Sequence, residues 1–191
     1  MLLLLKQSEL NDALKILKSQ GVIAYPTESV FGLGCDPDCE AAIQKILLLK
    51  QRPAYKGLIL IAASIEQLEK YADFSLLTAA QLTVIKKTWP GPITWIVPSQ
   101  KNLSKLISGD FESVAVRVTA HPIVRQICLA FDKPIISTSA NLSSLEAALS
   151  SQQVNKMFKS NTLLNLVIDA PVSGLSTPTQ IFHASTGKRL R

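Results

Sequence analysis

Lys50 and Arg52 are the first residues whose types and spacing suggest chemistry: two cations where an apolar helical pattern stops ahead of Pro53. Such a pair gathers phosphates or carboxylates and stabilises charge that develops on them. Arg117 is the second candidate, because it sits inside the apolar run Val114-Ala115-Val116-Arg117-Val118. Burying a guanidinium is costly unless an anion meets it, and a ligand carboxylate or phosphate would do so through charge-assisted hydrogen bonds. Hydroxyl-rich segments follow two apolar runs, Tyr25-Pro26-Thr27-Glu28-Ser29 and Ser137-Thr138-Ser139-Ala140-Asn141, and Ser113 precedes the Arg117 run. Each feature also has a plainer reading. Lys50 and Arg52 complement a helix dipole, Thr27 and the 137–141 segment suit turns, and Arg117 suits a half-exposed strand. Spacing alone does not choose between the two.

Several common chemistries are excluded by missing patterns. No G-x-x-x-x-G-K-[ST] occurs, and Gly32-Leu33-Gly34 lacks the third glycine of a dinucleotide fingerprint. Neither G-x-S-x-G nor H-E-x-x-H is present. The cysteines Cys35, Cys39 and Cys128 are too few and too irregular for a disulfide framework. Cys35 and Cys39 resemble half a zinc site, but His121 and Cys128 complete no common spacing, so no metal site is expected.

The chain of 191 residues is 47% hydrophobic and 18% charged, enough for a core without metal or disulfides. Twenty basic against 14 acidic residues leave +6, which favours nucleotides, phosphates or RNA as partners. No apolar run reaches the ~18 residues of a membrane span, and Met1-Leu2-Leu3-Leu4-Leu5 lacks the form of a signal peptide. A cytoplasmic protein is expected, with residues 1–191 as one domain.

The elements that must position these residues alternate. Ser8 is placed as the cap of a helix through Leu10, Leu14 and Leu17, ended near Gly21, and Asp38 as the cap of a second through Ile43, Ile46 and Leu47. Further helices are expected over 64–71, 77–87, 121–131 and 151–158, the third with Pro122 in its first turn. Apolar runs predict strands at 22–25, 58–61, 93–97, 114–118, 134–137, 166–168 and 180–182. Interleaving of this kind means an α/β or α+β class with an open, twisted mixed sheet.

Taken together, five blocks resemble the YrdC/Sua5 family. They are Y-P-T-E-x-V-F-G-L-G-C-D at 25–36, L-K-Q-R-P with K-G-L-I-L-I at 49–61, W-P-G-P-I-T at 89–94, A-V-R-V at 115–118 and S-T-S-A-N-L-S at 137–143. Their order and spacing are similar to the short bacterial form, without the additional C-terminal domain of Sua5. The resemblance implies a twisted mixed sheet flanked by helices, with a concave basic groove. It implies a threonylcarbamoyl-AMP synthase, which makes L-threonylcarbamoyladenylate and pyrophosphate from L-threonine, bicarbonate and ATP, with Mg2+. A transferase complex then passes the threonylcarbamoyl group to adenosine 37 of tRNAs that read codons starting with A. The resemblance also places roles. Lys50, Arg52, Ser139 and Asn141 match the catalytic K-x-R…S-x-N pattern, and Lys50, Arg52 and Ser139 face the ATP phosphates with Ser113 and Arg191. Thr27, Arg117, Ser137 and Thr179 match threonine contacts, with Arg117 on the carboxylate.

The chain departs from the family pattern in three places. His183 stands where an acid ends the P-S-T-V-V-D-like segment, Ser144-Leu145-Glu146-Ala147-Ala148 replaces S-G-x-P-P, and Leu149 falls where close relatives carry an arginine. Arg191 lies at the chain end, where backbones ordinarily fray. The alternative expectation is a non-catalytic RNA-binding module with a basic groove. Only 6% of residues are aromatic, which weakens single-strand recognition by stacking.

Overall fold

Side chains alternate across a strand, so each strand here serves two faces of one sheet. The computed structural model describes residues 4–143, 145–175 and 177–191. Its strands are β1 (Ile23–Pro26), β2 (Phe31–Gly34), β3 (Ile59–Ala62), β4 (Ile93–Pro98), β5 (Ser113–Val118), β6 (Ile135–Ser139), β7 (Leu166–Val167) and β8 (Gln180–His183). They form an eight-stranded sheet in the order β7-β1-β2-β6-β3-β5-β4-β8. Pairing is parallel for β1 with β7, β3 with β5 and β4 with β8, and antiparallel elsewhere. The helices are α1 (Gln7–Lys18), α2 (Glu40–Lys50), α3 (Ala79–Thr88), α4 (Lys105–Ser108), α5 (Pro122–Phe131) and α6 (Ser151–Met157). The expected mixed α/β sheet is therefore present.

One face carries Ala24, Phe31, Leu33, Leu60, Val114, Val116 and Ile136, packed with Ile43, Ile46 and Leu49 of α2, Ile85 of α3 and Val154 of α6. On the opposite face, Ile23, Tyr25, Ile61 and Ile135 pack against Leu10, Ala13 and Leu17 of α1 and Ile123, Val124 and Ile127 of α5. The second face is only partly covered. Past Ile61 and Ile135, the same alternation brings Ile59, Ala115, Ser113, Ser137, Ser139 and Gly32 to a cavity instead of a helix.

Several boundaries differ from the sequence expectation. Ser8 is inside α1, which Lys6 precedes; the Lys6 amide donates to Glu9 Oε2 at 2.8 Å, so Glu9 supplies the end contact. After α1 the left-handed residue is Gln20, at φ 61°, while Gly21 is required for space because a Cβ there would strike Ile16. Asp38 does not cap α2; Cys39 holds that position, and the Asp38 carboxylate accepts from Lys70, Tyr71 and Lys133. The helix expected over 64–71 shrinks to a 3-10 turn at Glu66–Leu68, where Gln67 accepts from the Ala63 amide and donates to Cys128 O. Strand β2 was not expected as a strand, since alternating glycines weaken the β signal.

Those glycines have a packing cause. A Cβ on Gly34 would lie 2.6 Å from both Ile136 O and a Tyr25 ring carbon, and Tyr25 is fully buried with its hydroxyl donating to Ile136 O at 3.2 Å. Gly34→Ala is therefore expected to destabilise the fold by about 1–3 kcal/mol. The check is the shift of the urea unfolding midpoint at unchanged slope.

Candidate functional site

The uncovered face forms a cavity of about 680 Å³. Strand register builds its floor: Ser137 pairs with Ile59, Ile59 with Ala115, Ala115 with Ile96, and Ile96 with His183. All five of these residues line it. Arg52, Lys56, Arg117 and Arg191 face it, together with the hydroxyl residues Thr27, Ser29, Ser108, Ser113, Ser137, Ser139 and Thr179. Among the described residues no Asp or Glu lines it. The arrangement suits a ligand with several anionic groups.

Arg117 ends the cavity-facing series of β5 and is only 4% exposed. Its Nη1 donates to Thr179 Oγ1 at 2.9 Å, and its Nη2 lies 3.5 Å from Glu28 Oε2. The anion that offsets its burial is thus a residue of the chain, whereas the sequence reading assigned that part to a ligand alone. Arg117 Nε has no hydrogen-bond partner among the described residues. Arg191 Nη2 donates to the same Thr179 Oγ1 at 3.2 Å, and its Nε to Thr179 O at 3.1 Å. The end of the described chain is tied back, with Ile181 N donating to Arg191 O and Leu190 N to Ile181 O. Burial, and then the Arg117 charge, lower Arg191 from the ordinary arginine value, yet a guanidinium remains charged in any accessible pH range.

Lys50 and Asn141 stand differently from the other expected residues, because neither lines the cavity. Lys50 is 3% exposed, and its Nζ donates to Ser139 O at 2.5 Å, Asn141 O at 3.0 Å and Asn141 Oδ1 at 2.8 Å. Asn141 Oδ1 also accepts from Ser139 Oγ at 2.6 Å, and Asn141 Nδ2 donates to Leu145 O at 2.6 Å. The pair therefore fixes the segment after β6 and thereby the Ser139 hydroxyl. Arg52 does face the cavity while its guanidinium donates to Gly57 O at 3.0 and 3.3 Å. Thr27 combines both readings: its hydroxyl donates to Val30 O at 2.7 Å and the residue lines the cavity.

The departures can also be placed. Ser144 lies outside the described residues. Ala147 lines the cavity, and Ala148 is docked, donating to Ala140 O and accepting from the Phe31 amide. Leu149 is exposed. His183 lies on the cavity floor with a buried Nδ1 that has no hydrogen-bond partner among the described residues. Sequence reasoning assigned no role to Lys56, although it lies inside the quoted 56–61 block, nor to Glu28, which stands between two residues of another block.

A helix-flanked mixed sheet with a basic, hydroxyl-lined cavity on one face makes this an α/β protein whose cavity suits anionic ligands. Comparison with known proteins narrows it. The family pattern described as telomere recombination, with the names Sua5, YciO and YrdC, matches residues 15–191, and the chain belongs to this family. A threonylcarbamoyl-AMP synthase of Aliivibrio fischeri is 52% identical over 95% of this chain and 97% of that protein. One of Yersinia enterocolitica is 48% identical over 97% and 96%. The structure of P. abyssi Sua5 complexed with L-threonine matches with TM-score 0.88 and 28% identity over 97% of this chain; the chain spans 53% of that protein's length. E. coli YciO shares the fold, with TM-score 0.80 and 23% identity.

Two measurements test the electrostatics. Arg117→Ala leaves the buried Glu28 carboxylate without its cation and is expected to cost about 3–5 kcal/mol. Adding Glu28→Gln should restore part of that stability, as read by urea unfolding. Burial, and then the Arg52 charge, push Lys50 down to about 8. Below that pH both folded and unfolded chains carry the proton. Between about 8 and the ordinary lysine value only the unfolded chain keeps it, so this group makes the fold more stable as pH rises. Comparing Lys50→Met with the parent from pH 7.5 to 10 isolates that slope, and the parent's stability relative to the variant should grow with pH.

Proposed function

We infer that this chain is a threonylcarbamoyl-AMP synthase, an enzyme that joins L-threonine, bicarbonate and ATP into L-threonylcarbamoyladenylate and releases pyrophosphate. The observation that carries this reading is the cavity wall: four cations and a set of hydroxyls, with no Asp or Glu among the described lining residues. ATP, bicarbonate and the threonine carboxylate are all anionic, and such a wall gathers them together. Relatives 48–52% identical over nearly the whole chain bear this name, which supports the same conclusion.

In the proposed reaction bicarbonate loses hydroxide to give CO2, the neutral threonine amine adds to that CO2, and the N–H proton it gives up joins the hydroxide as water, leaving a carbamate. An oxygen of that carbamate attacks the α-phosphorus of ATP, the bond from the α-phosphorus to its bridging oxygen breaks, and pyrophosphate leaves. This is nucleotidyl transfer, and its catalysis is mostly positioning and electrostatic stabilisation. Arg52 and Lys56 face the phosphates, Arg117 holds the threonine carboxylate, and Arg191 adds charge beside Thr179. Thr27, Ser113, Ser137 and Ser139 orient the amine and the carbonate. Lys50 and Asn141 act behind Ser139 by holding its segment. No cluster of three or more acidic, His or Cys residues suited to a metal occurs among the described residues, so magnesium is read as part of the ATP substrate. The adenylate product is a mixed anhydride, suited to a transferase complex that modifies adenosine 37 of tRNA in the cytoplasm. No helix among the described residues is long and apolar enough to cross a membrane.

Pyrophosphate release should require L-threonine and bicarbonate together. Arg117→Ala and Arg52→Ala should each lower kcat/KM by about 100-fold or more, the scale for losing one preorganised charge partner. Release without either co-substrate, or binding of tRNA with no release at all, would return the balance to the RNA-binding alternative.

A further inference from the structure

Glu28 has no part in the chemistry above, because its carboxylate does not line the cavity, yet it is 5% exposed beside the most important arginine there. Oε1 is pinned by two donors, Thr119 Oγ1 at 2.6 Å and the Ala120 amide at 3.1 Å. Thr119 Oγ1 in turn accepts from the His121 amide at 3.0 Å, so the start of α5 fixes the hydroxyl that fixes the carboxylate. Oε2 is thereby aimed at Arg117 Nη2, 3.5 Å away, and makes no hydrogen bond. A charge-assisted hydrogen bond would be about 2.7–2.9 Å. The guanidinium is therefore held by charge without being saturated, and its Nε, itself buried, has no partner among the described residues.

The other neighbour matters as much. Arg117 and Arg191 share one acceptor, Thr179 Oγ1, so two guanidiniums meet at a single neutral oxygen. Without a fixed anion behind it, Arg117 would be repelled from that position while the cavity holds no ligand. We propose that Glu28 is a positioning residue for substrate: anchored by Thr119 and the Ala120 amide, it keeps Arg117 oriented for the carboxylate of the amino-acid substrate. This rests on the synthase reading for the identity of that substrate.

Charge and orientation make opposite predictions for Glu28→Gln. Removing a negative charge beside Arg117 would by itself tighten anion binding, whereas losing the orientation weakens it. Titration calorimetry of L-threonine and steady-state pyrophosphate release, on the parent and variants, separate the two. Glu28→Gln should weaken L-threonine binding about 10-fold and leave the KM for ATP within about 2-fold. Thr119→Val keeps both charges and should move the threonine Kd the same way by about 3-fold, which keeps the test open if Glu28→Gln does not fold. In an Arg117→Lys background, Glu28→Gln should change the threonine Kd by less than about 2-fold, because Glu28 acts through the guanidinium. Unchanged or tighter threonine binding in Glu28→Gln overturns the proposal, as does equal weakening toward threonine and ATP. If the parent binds threonine but releases no pyrophosphate, the synthase reading fails and the threonine Kd values still decide the role of Glu28. If the parent binds no threonine, the positioning role falls with its ligand.

Discussion

A guanidinium at the end of a central strand must be buried without being neutralised, and the site is organised around that constraint. In the proposed function Arg117 keeps its charge for a ligand and is therefore not closed into a tight ion pair, and it needs an anion, because an isolated buried cation is untenable. Segments from three parts of the chain meet these demands, and a fourth adds a second guanidinium at the same acceptor. The turn between β1 and β2 brings Glu28, the end of β5 brings Thr119, the segment before β8 brings Thr179, and the last described residue brings Arg191. The resulting network is deliberately incomplete: unpartnered Arg117 Nε and Glu28 Oε2 mark where a folding optimum would have been tighter.

The cavity itself is a product of side-chain size. Covered by α1 and α5, the lower part of one sheet face carries Ile23, Tyr25, Ile61 and Ile135. Along the same face the strands switch to Gly32, Ser113, Ala115, Ser137 and Ser139, which are too small to close the space and three of which carry hydroxyls. The opposite face packs an apolar cluster against α2, α3 and α6, so the sheet stays anchored while part of the other face is left open.

Much of this was legible in the sequence. Runs such as 114–118 and 93–97 are β-branched and apolar, and they form strands as expected. Arg117 drew attention by the physical oddity of a charge inside such a run; it is buried and lines the cavity, but the anion beside it is Glu28 of the chain. What escaped were features decided by distant partners. Asp38 looks like a helix cap until Lys70, Tyr71 and Lys133 are brought to it, and the 64–71 segment looks helical until Gln67 is drawn toward Ala63 and Cys128. Lys50 and Arg52 looked equivalent, yet α2 ends in a left-handed Gln51 that sends one cation behind the cavity wall and the other onto it. Glu28 could not be singled out, because its importance depends on Thr119, which is remote in sequence.

The cavity floor has a further consequence for how the protein folds. Its row of residues runs from Ser137 through Ile59, Ala115 and Ile96 to His183, crossing five neighbouring strands that come from separate stretches of the chain. No local hairpin or single parallel unit contains enough of that row to hold a ligand. Affinity therefore arises only after the long-range pairings close, late on a landscape of high contact order. A bound ligand then stabilises the assembled sheet as a whole by mass action, so occupancy reports on global folding instead of on one mobile loop.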